Sequence, residues 1–140
     1  MMAGKLALKK VKVSEIMISP VKSIDMMMTV KDAIQFLVSN KISGAPLVNK
    51  QGELVSIVSE MDLMKMGVLE GIDAILWESL NSLPRRDKLI TIKPDAMFAE
   101  LFKLFLENNI RRVIVLDDSK SIVGIVSRRD IIKSYLEHTE

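Results

Sequence analysis

The 140-residue chain has no cysteine, one histidine (His138) and only 4% aromatic residues. Without a thiol there is no disulfide, no thiolate metal site and no cysteine nucleophile, a composition compatible with a reducing cytoplasm. A lone histidine near the C-terminal end, where positioning is poor, offers neither a zinc cluster nor a well-held acid–base group. With so few aromatics, Leu, Ile, Val and Met supply the apolar volume, which suits thin layers of helix and sheet better than an aromatic-rich sandwich. Long hydrophobic runs are missing too. The longest are a few residues, far short of the ~20 needed to cross a bilayer. The first thirteen residues have neither the apolar stretch nor the small-residue cleavage pattern of a secretion signal. The expectation is a soluble cytoplasmic protein with no membrane partner and no catalytic apparatus. A net charge of +2 does not by itself imply nucleic acid, although a pI of 8.9 leaves room for local basic patches.

Hydrophobic residues make up 49% of the chain and charged ones 27%. A chain of this length buries roughly two thirds of its unfolded surface, so a real core is expected. Ten methionines give that core adaptable packing.

The organisation follows from an internal repeat. Residues 21–65 align without a gap on residues 89–133, at the offset of 68 that relates Ser59 to Ser127 and Asp62 to Asp130. Identical pairs include Ile24 with Ile92, Asn40 with Asn108, Ile42 with Ile110, Val58 with Val126 and Lys65 with Lys133. The apolar set Ala33, Ile34, Leu37 and Val38 returns as Leu101, Phe102, Phe105 and Leu106, at helical spacing. Each repeat reads as strand, helix, two strands and helix.

In the first repeat, residues 21–24 are extended, and Thr29 with Asp32 opens a helix that ends near Asn40. Residues 47–49 and 54–58 flank a turn containing Gly52, and Ser59 starts the second helix. The second repeat follows with strands at 90–92, 112–116 and 122–126 and helices at 98–107 and from 128; its turn, Asp117 to Lys120, lacks glycine. Between the repeats, Ile72, Ile75, Leu76, Leu80 and Leu83 predict a connecting helix that Pro84 stops, with Trp77 off its apolar row as a packing or interface residue. The boundaries read as repeat 1 at 13–66, connector at 67–87 and repeat 2 at 88–136. A strand-bearing unit this small is marginal alone, so the two are expected to share one core as a single domain.

The run from Ile42 to Val48, the glycine-containing turn, and Leu54 to Leu63 resemble the second half of a CBS domain. Ile110 to Val115 with Gly124 to Ile131 resemble it more closely, and Val13 to Met17 with Ser19, Pro20 and Val21 resemble the segment that precedes a first CBS repeat. The resemblance spans about residues 13–132 and is to a tandem CBS pair standing alone. It implies an α+β fold of two β-α-β-β-α repeats packed through their sheets with pseudo-two-fold symmetry. It also implies homodimers formed through helices, and a separate regulated partner protein, since no effector domain is fused.

The repeated Ser-x-x-Asp has a chemistry of its own. A serine at a strand end can cap the following helix, where the first free amides favour anions. An aspartate three residues on returns to the same edge and can accept hydrogen bonds from vicinal hydroxyls such as those of ribose. Phosphate at Ser and ribose at Asp together describe a nucleotide, yet the same pattern is also ordinary helix capping. CBS pairs typically hold adenosine derivatives in clefts between repeats, with this Ser and Asp on phosphate and ribose. Carried over, that assigns Ser59 and Asp62 to one cleft and Ser127 and Asp130 to the other. The ligand is then AMP, ADP, ATP or S-adenosylmethionine, with no required cofactor.

Gly124 matches the small residue that the family uses to leave the ligand room; Ser56 replaces it in the first repeat. Glu60 stands where the second repeat has Arg128, so the second cleft is the better phosphate site. Base contacts carried over from the family fall on Ile24, Ala45 and Pro46, and on Ile92, Val113 and Ile114, all apolar enough to be plain core. Arg111, Arg112, Arg128 and Arg129 are candidates for polyphosphate or for solvated surface. Asp25, Asp32, Glu60 and Asp62 make no spacing that demands a metal, although magnesium can accompany ATP. Two other readings stay open: a nucleotide-independent scaffold, and a nucleic-acid binder using Arg85 with Arg86, Arg111 with Arg112 and Arg128 with Arg129. The latter is disfavoured because the basic pairs lack interleaved aromatics.

Overall fold

A computed structural model of the chain describes residues 4–84 and 88–139. The chain divides into two compact units: residues 22–89 form one, and residues 1–21 with 90–140 the other.

In the unit of residues 22–89, Thr29 lies in extended backbone and its side chain accepts from the Asp32 N–H, while Asp32 accepts in return from the Thr29 N–H. That reciprocal cap opens helix α1, Val30–Asn40. Strands β1 (Ile24–Asp25), β2 (Gly44–Val48) and β3 (Leu54–Ser59) form a sheet in that order, with β1 parallel and β3 antiparallel to β2. The central strand is buried from Gly44 through Leu47, as a strand covered on both faces should be, whereas β3 alternates. Helix α2 is Glu60–Glu70. Ile24, Val30, Leu37, Leu47, Val58, Leu63 and Met66 build the core.

The other unit repeats the plan with β4 (Thr91–Ile92), α3 (Phe98–Glu107), β5 (Arg112–Leu116), β6 (Ile122–Ser127) and α4 (Arg128–Glu137), and with β4 parallel to β5 and β5 antiparallel to β6. Its core holds Ile92, Phe98, Leu101, Val113, Val115, Val126 and Ile131. Both sheets carry a register shift at the same place, after Leu47 and after Val115. The mixed α+β architecture expected from the sequence is present, one three-stranded sheet to each unit.

Two expectations need correction. The connector is not a helix of the predicted length: between Gly71 and Pro84 only Leu76–Ser82 is helical, as a 3-10 segment broken at Ser79. Gly71 at φ 88 ends α2, and residues 74–77 then spend their backbone groups on residues 26–30: the Val30 N–H donates to Ala74 O, Leu76 N–H to Met28 O and Trp77 N–H to Met26 O. Leu76 is fully buried by this pairing, while Trp77 is 48% exposed. Second, the apolar quartets on the first helices are not single faces. Ala33, Leu37 and Leu101 are buried, but Val38 and Leu106 are 72% and 70% exposed; each stands one residue past the buried row, about 100° further round the helix.

The stretch before the first repeat packs in the second unit. Val13 N–H donates to Ala96 O, Phe98 N–H to Val11 O, and Ile18 exchanges backbone hydrogen bonds with Ile125 of β6. Residues 11–14 thus run beside 94–98 as residues 74–77 run beside 26–30. Each repeat is completed by a strip of chain outside its own strand-helix unit.

The two hairpin turns are closed alike. Asn49 Oδ1 accepts from the amides of Gln51 and Glu53, and Asp117 Oδ1 from those of Ser119 and Ser121. The left-handed position is Gly52 at φ 77 in the first turn, but Lys120 at φ 63 in the second. A side chain in this region costs roughly 1 kcal/mol relative to glycine. Lys120→Gly should therefore raise unfolding free energy by about 1 kcal/mol in urea titration, and Gly52→Ala should lower it by about as much; an unchanged Lys120→Gly midpoint would count against this account.

Candidate functional site

The two Ser-x-x-Asp motifs sit at the β3–α2 and β6–α4 junctions. Ser59, at φ −111 and ψ 168, leaves the strand and caps α2; Ser127, at φ −103 and ψ 168, does the same for α4. In the first turn Ser59 N–H and Ser59 Oγ–H both donate to Asp62 Oδ2 at 2.8 Å, and the Asp62 N–H donates to Ser59 Oγ at 3.2 Å. In the second, Ser127 N–H and Oγ–H donate to Asp130 Oδ2 at 2.7 and 2.9 Å, and the Asp130 N–H donates to Ser127 Oγ at 3.3 Å. The capping reading is therefore realised in both copies.

This geometry also limits what a ligand meets. The first amide of α2 is taken by Ser43 O at 3.0 Å and that of α4 by Arg111 O at 3.2 Å, so the first and third amides of each helix are already satisfied. The serine hydroxyl is spent on its own aspartate. Oδ1 of Asp62 and of Asp130 makes no hydrogen bond among the described residues, and both residues are partly exposed. The open acceptor at each turn is thus a carboxylate oxygen, chemistry suited to hydroxyl donors. A phosphate at the serine would have to draw its hydroxyl away from the aspartate.

Arg128 is exposed, but its Nε donates to Ile110 O at 3.0 Å, which holds the guanidinium against the loop before β5. Arg111 is exposed and Arg112 half-buried, on the same loop and the first residue of β5. Ser127, Arg128, Asp130 and Arg111 are thereby brought to one turn. Glu60 is exposed at the matching position of the first turn. Ile24, Ala45, Pro46, Ile92, Val113 and Ile114 are all buried, with Ile24 and Val113 at 0% exposure. Of the basic pairs, Arg85 and Arg86 lie outside the described residues.

Gly124 has a tighter constraint than the sequence suggests. A Cβ there would clash with Met17 Sδ and lie 3.0 Å from Met17 Cβ. The space above Gly124 is filled by the lead-in residue Met17, held by the pairing of Ile18 with Ile125. At the matching position the buried Ser56 instead donates its hydroxyl to Pro84 O at 2.7 Å. No local signal in the sequence links Met17 to Gly124; only the fold does.

Asp130 also borders a shallow cleft with Glu15, Ile16, Ile18, Lys133, Ser134 and Glu137. At about 110 Å³ it is smaller than the roughly 300–1,000 Å³ of small-molecule pockets. Lys93, next to Ile92, pairs with Asp118 at 3.0 Å; the hydrogen bond and then the charge of Asp118 hold its pKa above the ordinary lysine value. Both groups are exposed, so the pair contributes little to stability. Among the described residues no group of three His, Cys, Asp or Glu is placed to hold a metal, and no helix is long and apolar enough to cross a membrane.

Residues 13–68 and 81–137 each match the CBS domain family. The chain belongs to the CBS domain family. MJ1426 of Methanocaldococcus jannaschii is 34% identical over 134 residues, covering 75% of this chain and 80% of MJ1426. Two further relatives in that organism are longer, and this CBS chain spans 41% of one and 46% of the other. Among solved structures, the CBS domain pair of MJ0100 in complex with 5′-methylthioadenosine and S-adenosyl-L-methionine is similar at 24% identity and a TM-score of 0.75, over 95% of this chain and 98% of that one. CBSX2 of Arabidopsis thaliana in complex with AMP is similar at 20% identity and a TM-score of 0.75, over 90% and 96%. These likenesses establish a shared CBS-pair fold.

Removing the cap and filling the glycine should have separable effects. Ser127→Ala should cost about 1 kcal/mol of stability through the lost cap. Gly124→Val should cost about 1–3 kcal/mol through overpacking, and Met17→Ala in the same chain should recover part of that loss; a double mutant no more stable than Gly124→Val would refute the Met17 contact.

Proposed function

We propose that this CBS chain is a non-catalytic regulatory module that binds an adenosine-type ligand at the Ser59–Asp62 and Ser127–Asp130 turns. The observation that carries this reading is the duplicated carboxylate: at each turn Oδ2 is consumed by the cap and Oδ1 has no hydrogen-bond partner among the described residues, so each Asp can anchor its helix and accept a ribose hydroxyl together. Similar CBS pairs in complex with AMP, or with 5′-methylthioadenosine and S-adenosyl-L-methionine, support the choice of adenosine compounds. Under this reading AMP, ADP, ATP or S-adenosylmethionine acts as effector, no resident cofactor is needed, and ligand binding alters the interaction with a regulated partner protein in the cytoplasm. A ligand can regulate it only by binding unequally to two arrangements of the protein.

Thermal melts with each adenosine compound test the proposal. Ligand at 100 times its Kd should add about 2.7 kcal/mol of stability. Asp130→Ala, which also weakens a cap, is read through the ligand-induced shift, not through the melting temperature itself; that shift should shrink, while Asp130→Asn, which keeps one acceptor oxygen, should retain part of it. If no adenosine compound shifts the wild-type melt, the proposal fails.

Self-association has its own support. Met61, Met64 and Val68 leave an apolar stripe on α2, at 55%, 65% and 86% exposure, and Ile132 and Leu136 leave one on α4, at 61% and 84%. Unpartnered apolar helix faces of this kind mark protein contacts. We therefore propose a homodimer using one or both faces. Light scattering on purified chain should give twice the monomer mass, and Val68→Glu combined with Leu136→Lys should return it to monomer; a monomeric wild type at high concentration would exclude this.

A further inference from the structure

The two turns have the same backbone but opposite charge. Around Ser127 and Asp130 the loop and first helical turn supply Arg111, Arg112, Arg128 and Arg129; the matching residues around Ser59 and Asp62 are Ser43, Gly44, Glu60 and Met61. At these matched positions the second turn carries four arginines with Asp130, and the first carries Glu60 with Asp62 and no cation. The first loop does carry Lys41, exposed at the end of α1, where the second has Asn109. Only the second turn places cations at the first two positions of its helix.

The hydrogen bonding sharpens the difference. Arg128 Nε is fixed on Ile110 O at 3.0 Å, which anchors the guanidinium at the first turn of α4, where its two terminal amino groups are further donors. The equivalent loop carbonyl is that of Ile42, and Glu60 has no proton to give it. Because the first and third amides of both helices are satisfied internally, the helix ends themselves contribute similarly at the two turns. Discrimination then falls to the side chains. A phosphate monoester gains charge-assisted hydrogen bonds from Arg128 and its neighbours, whereas beside Glu60 it meets like charge. An uncharged or cationic 5′ substituent has no such penalty at Glu60 and no reward at Arg128.

We infer that the two turns select adenosine ligands by the charge at the 5′ position: phosphate-bearing adenosine at Ser127–Asp130, and thioether- or sulfonium-bearing adenosine at Ser59–Asp62. This rests on the adenosine-binding reading above. Arg128 and Glu60 are its specificity-determining residues.

Calorimetric titration with AMP and with 5′-methylthioadenosine tests it on the full chain. AMP binding should disappear in Asp130→Ala and persist in Asp62→Ala, and 5′-methylthioadenosine binding should show the reverse. Arg128→Glu should weaken AMP by about tenfold or more, the size of a lost charge-assisted hydrogen bond, and leave 5′-methylthioadenosine unchanged. Glu60→Arg should create a second AMP site. Added salt should weaken AMP alone. The inference is overturned if both compounds compete for one turn, or if Arg128→Glu leaves AMP affinity within about twofold. Binding of neither compound to wild type would instead overturn the adenosine reading itself.

Discussion

Each strand-to-helix junction is closed by one carboxylate oxygen. Oδ2 of Asp62 and of Asp130 accepts from both the amide and the hydroxyl of the serine three residues before it, and the aspartate amide returns a bond to that hydroxyl. This reciprocal cap ends the strand, starts the helix and holds the carboxylate in one orientation. The same constraint that makes the motif structural also presents the remaining oxygen as an acceptor. Capping and ligand binding are therefore compatible uses of one side chain, not competing explanations for it.

Around that shared junction the two copies have diverged in ways that leave the backbone alone. The register shift, the turn closed by Asn49 or Asp117, and the loop carbonyl that accepts the first helical amide all recur. The charge differences fall at the surface: exposed Glu60 against Arg128, Met61 against Arg129, and half-buried Ser43 against the exposed Arg111. Buried positions differ as well, among them the one where Gly124 lies under Met17 and Ser56 bonds to Pro84. Surface charge can change at little cost in stability, so a duplicated fold is free to acquire two preferences.

The elements that depend on local chemistry were legible in the sequence. The Thr29 cap, the α3 span from Phe98 to Glu107 and the β5 span from Arg112 to Leu116 follow from periodicity and capping residues a few positions apart. The connector was not, because the apolar spacing from Ile72 to Leu83 mimics a helix while the backbone groups of residues 74–77 are claimed by residues 26–30. Nor was the packing of residues 11–18 in the second unit. That strip obeys a different offset from the repeat, so a gapless alignment at 68 passes over it. At the site, Ser59, Asp62, Ser127 and Asp130 were identifiable from duplication. The role of Gly124 was not, because its neighbour Met17 is more than a hundred residues away.

The most direct test of the dual role is side-chain carbon NMR on Asp130 during an adenosine titration. The account predicts that the Asp130 carboxyl resonance moves with saturation while the Ser127 amide stays protected from exchange, because Oδ1 takes the ribose and Oδ2 keeps the cap. Saturable adenosine binding that leaves the Asp130 carboxyl resonance in place, or that exposes the Ser127 amide, would contradict it.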